Sequence, residues 1–277
     1  MLRWTCWTCC LCTEGQVVHT LPEGPEVAGV TTLGEQVYVL RNKELDAVEV
    51  YDVITYCLLR CLNVPCIGGY TDMTSCEHFL CLYISDPYAI HSLDLHGNAT
   101  QWPVSDRPCG LSVNAAHNVL VTCPLVRKIK EFSPRGDLLR DVTLPDDVIN
   151  PRHAIQLTSG QFIVCHGGPG DRVHRVCTVS ADGHKTVHSH GGQPGSDTGQ
   201  YNVPSYLAVD DNECAFVIDV YNQRVTLLSP TLNYIRQVVS RHQVKWGPVR
   251  LCFDVQRRRL YVVDNEVTDG RVVVFCV

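Results

Sequence analysis

The sequence predicts an all-β chain closed into a ring of six four-stranded blades, a six-bladed β-propeller, and three observations carry that prediction. A turn followed by a short apolar strand recurs, and Val37, Phe79, Val119, Phe162, Ala215 and Leu260 mark equivalent points at intervals of 42, 40, 43, 53 and 45 residues. That spacing is near the roughly 40 to 50 residues of a four-stranded blade. No amphipathic helical stretch of a dozen residues interrupts the strands. The last copy ends at its third strand, Arg271 to Cys276, while Gln16 to Leu21 precedes the first copy and can supply the missing edge and close the ring.

The elements follow in order. A Cys-rich segment, residues 1–15, is expected to be poorly ordered, and 16–277 forms one propeller with blades near 26–60, 66–105, 106–145, 146–200, 201–241 and 242–277, completed by strand 16–21. Each copy opens with a polar turn such as Leu33-Gly34-Glu35-Gln36, Ala116-His117-Asn118 or Asp211-Asn212-Glu213 before its apolar strand. The longest interval carries Gly167-Gly168-Pro169-Gly170 and Gly191-Gly192-Gln193-Pro194-Gly195, which read as loop insertions in or after the fourth blade. The fifth copy is the clearest: four strands fit into Val203 to Val239.

Composition limits the function classes. The chain has 277 residues, 45% apolar and 19% charged, enough to bury a core, and a formal charge of -6 that opposes generic polyanion binding. Residues 1–60 alone hold four basic and eight acidic side chains. No run of eighteen apolar residues occurs and Met1 to Cys12 lacks an apolar signal core, so a soluble, cytoplasmic, membrane-free protein is expected. The sixteen cysteines include Cys165, Cys214, Cys252 and Cys276 inside or beside apolar runs, where a thiol serves as a small core side chain, and reduced thiols are expected. The sequon Asn98-Ala99-Thr100 is the one secretory hint.

The copy from Tyr201 to Ser240 resembles the NHL repeat, with Pro204 ahead of Leu207-Ala208-Val209-Asp210, a strand ending in Asp219, and Asn222-x-Arg224-Val225. Leu260 to Asn265 with Arg271 to Phe275 keeps part of the pattern, and Arg127 to Gly136 keeps less. The chain is thus similar to the C-terminal propeller of tripartite-motif (TRIM-NHL) proteins. The resemblance implies an interaction module that recruits a protein, the substrate-recognition part of a TRIM-like ubiquitin ligase, with single-stranded RNA binding on the same face as the alternative. The sequence contains neither a RING pattern nor a heptad segment, so any ligase activity would lie outside these residues.

Enzyme chemistry finds little support. No nucleophile elbow, phosphate loop or dinucleotide fingerprint is present, and no catalytic residue or cofactor is expected. Cys6, Cys9, Cys10 and Cys12 offer half of a zinc site. Six histidines, His153, His166, His174, His184, His188 and His190, crowd one blade, and His188-x-His190 would place two imidazoles on one side of a strand. A metal-dependent propeller lyase or lactonase would need ligands from several blades, so Cys6, Cys9, His188 and His190 are only weak metal candidates. The expected partner-binding face joins the loops after each second strand to the loops between blades. It gathers Arg41, Lys43, Tyr88, Arg127, Lys128, Arg172, Tyr221, Asn222, Arg224, Lys245, Trp246 and Arg271, cationic and aromatic groups of the kind that anchor interfaces or stack on bases.

Overall fold

The computed structural model describes residues 14–42, 47–64, 69 and 72–277. Every strand lies in one of six antiparallel sheets, and each sheet is a blade. The first blade runs Val27–Leu33, Gln36–Arg41, Ala47–Asp52 and Leu58–Asn63 from the axis outward, and the second runs Asp72–Cys76, Cys81–Ser85, Ala89–Asp94 and Ala99–Pro103. The third comprises Gly110–Val113, Val119–Cys123, Lys128–Phe132 and Leu138–Thr143, and the fourth Pro151–Gln156, Phe162–His166, His174–Val179 and Thr186–Gly192. The fifth holds Pro204–Val209, Ala215–Asp219, Arg224–Leu228 and Tyr234–Val239. The sixth has Pro248–Asp254, Arg259–Asn265 and Asp269–Cys276, and its outer strand is Gln16–Thr20. Gln16 faces Cys276 and Thr20 faces Val273, so the two ends of the chain share one sheet and close the ring as the sequence predicts.

Local chemistry sets the turns. Where the first strand passes to the second, Asn114 Oδ1 accepts the amides of Ala116 and Asn118, and Asp210 Oδ1 accepts those of Asn212 and Cys214. A short polar side chain thereby satisfies backbone donors that no ladder reaches. Gly34 takes φ +60 in the corresponding turn of the first blade, a conformation that glycine adopts without steric cost.

The apolar faces pack blade against blade. Tyr38, Leu40 and Val50 meet Leu82, Ile84 and Leu93 between the first two blades, and Val37, Val39 and Tyr51 meet Tyr261, Val263 and Val274 across the closure. Each fully buried Val or Leu contributes about 1.5–3 kcal/mol, so these six interfaces supply most of the energy that holds the ring. Cys123, Cys165 and Cys177 lie buried in them, and all eleven described cysteines are free thiols. Burial pushes the Cys123 and Cys177 thiols up to about 12. Among the described residues no helix is long and apolar enough to cross a membrane.

Candidate interaction face and axial cluster

The turns after the second strands and the connections between blades open on one face of the ring, and there the structure sorts the expected residues into two groups. One group is structural. Asp219, at the end of the second strand of the fifth blade, accepts Arg224 Nε at 2.8 Å, Asn222 Nδ2 at 2.7 Å and the Asn202 amide at 2.7 Å. Arg224 also donates to the carbonyls of Ser196 and Gln200, and Asn222 to that of Gly195. The pair thus clamps the preceding inter-blade loop.

The sixth blade repeats the device. Asp264 accepts Arg271 Nε at 2.8 Å and the amides of Lys245, Trp246 and Gly247. Asn265 staples the next blade through Val27 N and Val27 O. In the fourth blade His166 stands where the fifth and sixth have Asp, paired with Arg175 at 3.1 Å. Burial, helped by the Arg175 charge, lowers the His166 imidazole to about 4.

Arg41 is a correction to the expected face. It is only 2% exposed, bound to Glu49 at 2.7 Å and donating to the carbonyls of Pro22, Pro25 and Gly270. A guanidinium has donors enough to satisfy three carbonyls and a carboxylate at once, and this one ties the incoming chain to the last blade. Lys43, Cys6 and Cys9 lie outside the described residues.

The second group reaches solvent. Tyr88 and Tyr221 stand exposed at hairpin tips, joined by Leu125 at 72% exposure and Val267 at 86%, two residues that a search for cations and aromatics passes over. Arg172 is exposed and makes no ion pair among the described residues. The other cations are spoken for: Arg127 pairs with Asp146 at 2.7 Å, Lys128 with Asp141 at 2.8 Å, and Lys245 with Glu23 at 2.9 Å. Lys245 and Arg271 also lie over the Trp246 ring, at 4.2 and 5.9 Å.

The histidines of the fourth blade do not converge. His153 sits on its first strand, His166 ends the second, His174 opens the third, and His188 and His190 lie on the fourth. They run from axis to rim, and His190 packs against Tyr201 rather than pairing with His188. Among the described residues no three His, Cys, Asp or Glu side chains are grouped to hold a metal ion.

A second polar assembly, absent from the sequence reading, blocks the axis. Asp72 of the second blade is fully buried and accepts the Tyr206 hydroxyl at 3.0 Å and the Leu111 amide at 2.7 Å, with Arg250 Nε at 3.3 Å. His153 Nε2 donates to the Leu111 carbonyl at 2.9 Å, and its ring stacks on Tyr206 with centroids 3.9 Å apart. Five blades therefore meet in one cluster. Gly110 makes room for it, because a Cβ there would lie 2.8 Å from the His153 ring. Burial raises the Asp72 carboxyl to about 6 despite Arg250, and lowers His153 to about 3. Below the cluster the channel encloses about 260 Å³, walled by Thr31, Ser75 and Ser112 among apolar neighbours.

No protein-family model matches the chain, and no curated protein matches it by sequence. Solved structures do. A protein of unknown function from Bacteroides caccae superposes with TM-score 0.66 at 12% identity, covering 84% of each chain. The Cps50 (Swd1) β-propeller domain of Myceliophteria thermophila gives 0.66 at 11% identity, over 95% of this chain and 100% of that one. Virginiamycin B lyase from Staphylococcus aureus gives 0.61 at 9% identity, over 87% and 78%. At such identities the likeness shows the β-propeller fold and nothing about activity.

Proposed function

We propose that this propeller is a non-enzymatic interaction module that recruits a protein partner on its loop face. One observation carries the reading: exposed apolar side chains, Tyr88, Leu125, Tyr221 and Val267, crown four of the hairpins on a face whose cations are mostly paired with carboxylates. Apolar and aromatic tips in a mixed-charge surround suit a protein interface. Single-stranded nucleic acid calls for a continuous positive groove, and phosphates would have to displace Asp146, Asp141 and Glu23 from their partners.

The axial acid and base support the non-enzymatic reading. Asp72 and His153 are buried and engaged with Tyr206, Arg250 and the backbone of Leu111, an arrangement that fastens blades together. The NHL-like pattern of the fifth copy favours the TRIM-like form of the proposal, recognition of a ubiquitin-ligase substrate. Its Asn222 and Arg224 would then serve the scaffold, leaving Tyr221 to the ligand.

Site-specific photo-crosslinkers at positions 88, 221 and 267, with position 187 on the rim as control, test the proposal. Expected is one protein captured from the three loop-face positions, its binding to purified propeller lost in Tyr221→Ala with Val267→Asp. Nanomolar affinity for single-stranded RNA at physiological salt would replace this reading with the RNA one.

A further inference from the structure

Eleven described cysteines are free thiols, and only two of them face each other across a ladder. Cys76 ends the first strand of the second blade, Cys81 opens the second, and the two are directly opposed in the antiparallel register. No other ladder among the described residues sets one cysteine opposite another. Residues opposed in this way send their side chains from the same face of the sheet, with Cα atoms about 4.5–5.5 Å apart. A disulfide spans roughly 4.4–6.8 Å between Cα atoms, so the backbone here already has the separation that the bond requires.

The surroundings admit an oxidant and give the bond a consequence. Both thiols enter one apolar cluster between the second and third blades, near enough for the charge of one to bear on the other. Cys81 keeps 6% of its surface accessible and lines a cavity of about 580 Å³ whose rim carries the exposed Phe79, Arg135 and Asp137, so a small molecule reaches it from solvent. Burial pushes the Cys81 thiol up from its ordinary value, so the reactive thiolate is scarce and the dithiol is the resting form. The turn between the two cysteines, Glu77 to Leu80, touches both neighbouring blades. Glu77 accepts the Gly34 amide of the first blade at 3.1 Å, and the His78 ring stacks on His117 of the third with centroids 4.2 Å apart. Leu80 takes φ +49, a left-handed conformation that is costly for a residue with a Cβ.

From this register we infer that Cys76 and Cys81 form an oxidisable dithiol, which hydrogen peroxide converts into a cross-strand disulfide closing the base of the turn from Glu77 to Leu80. The Cys81 sulfur attacks the peroxide, an S–O bond forms as the O–O bond breaks, and the other oxygen leaves as water with the thiol proton. Cys76 then displaces the sulfenic oxygen as a second water, and the S–S bond forms. Two thiols are oxidised and one peroxide is reduced. The bond fixes a turn that touches three blades, so the ring is more stable oxidised than reduced. None of these residues belongs to the proposed loop face.

Peptide mapping of the native propeller, treated with hydrogen peroxide and then alkylated in denaturant, tests the pairing. Digestion after glutamate cuts between the two cysteines at Glu77, so their bond leaves two peptides joined until a reductant parts them. Expected is one such joined pair, located to Cys76 and Cys81 by fragmentation, while the buried Cys123, Cys165 and Cys177 remain alkylated. The oxidised protein should melt about 4–8 °C above the reduced one, and dithiothreitol should reverse the rise. Cys76→Ser and Cys81→Ala each lose the bond and the rise, whereas Cys57→Ser with Cys61→Ser, both exposed, keeps them. A bond from Cys81 to any other cysteine, sulfenic or sulfinic acid at Cys81 beside a Cys76 that still alkylates, or a bond that leaves melting unchanged would each overturn the inference. So would a pair that stays reduced at peroxide concentrations that oxidise Cys57 and Cys61.

Discussion

The Tyr206 hydroxyl lies 3.0 Å from both oxygens of the Asp72 carboxylate, although 134 residues separate the two in sequence. One residue belongs to the inner strand of the second blade and the other to that of the fifth, so the bond crosses the axis. A ring held only by contacts between neighbouring blades can open at any one interface. A bond across the axis resists that opening.

The first prediction follows directly. Tyr206→Phe keeps the ring and its stack on His153 but leaves a buried carboxylate short of a donor, at a cost of about 1–3 kcal/mol. For a chain of this size, thermal melting should fall by about 2–4 °C per kcal/mol. An unchanged melting temperature would mean that the axial bond contributes nothing.

Much of the fold was legible because its causes are local. Blade strands of four to eight residues separated by Asx-type turns repeat at blade spacing, and the strand Gln16–Thr20 stands out as a strand-length segment ahead of the first copy that pairs with Asp269–Cys276. The axial cluster was not legible. Asp72, His153, Tyr206 and Arg250 each look like an isolated polar residue near the start of an apolar strand, and only ring closure brings them to one level. The candidate face was half legible. A cation beside a turn reads as exposed, yet Arg41 and Arg224 spend their donors on loop carbonyls. The histidines of the fourth blade spread out for a related reason: closeness in sequence along one blade becomes distance along its radius.

Acid should weaken the fold through buried imidazoles. Burial holds His153 near 3 and His166 near 4, whereas the unfolded chain titrates at about 6.5. Below that pH the unfolded state takes up protons that the folded state refuses, so stability is lost as pH falls from about 6.5 toward 4. Asp72 acts in the opposite sense, because its carboxyl is raised to about 6 and the folded state holds a proton first. Asp219, also raised by burial, acts with Asp72, and His190, also lowered by burial, acts with the other imidazoles, so the two deeply shifted histidines set a net destabilisation. His153→Gln should therefore flatten the melting-temperature profile between pH 6.5 and 4, and a profile parallel to the wild type would refute the assignment.

The paired Asp and Arg at the ends of the second strands should respond unlike the exposed ion pairs. Arg271→Ala strands Asp264, whose side chain is fully buried, and Arg224→Ala strands Asp219 in the same way. Each should cost about 3–5 kcal/mol, the range for breaking a buried pair from one side. Arg127→Ala, whose partner Asp146 is almost wholly exposed, should change stability by no more than about 1 kcal/mol. Chemical denaturation of the three variants measures the contrast, and equal losses would remove the distinction drawn here between clamp and surface.

Binding and stability should separate at the hairpin tips. Tyr221 and Tyr88 have exposed rings, and the hydrogen bonds near Tyr221 belong to its backbone or to its neighbours Asn222 and Arg224. Truncating either ring removes no buried surface of consequence, so Tyr88→Ala and Tyr221→Ala should melt within about 0.5 kcal/mol of wild type. If the loop face recruits a protein, an anchor tyrosine at its centre should carry about 2 kcal/mol or more of binding energy, a loss of some thirtyfold in affinity. The salt dependence of the same binding curve adds a second reading. Apolar anchors on a mixed-charge face predict an affinity nearly flat in added salt, whereas a nucleic-acid ligand held by released counterions would weaken by orders of magnitude over the same range. A steep salt slope with binding indifferent to Tyr221 would move the function from protein recruitment to phosphate recognition.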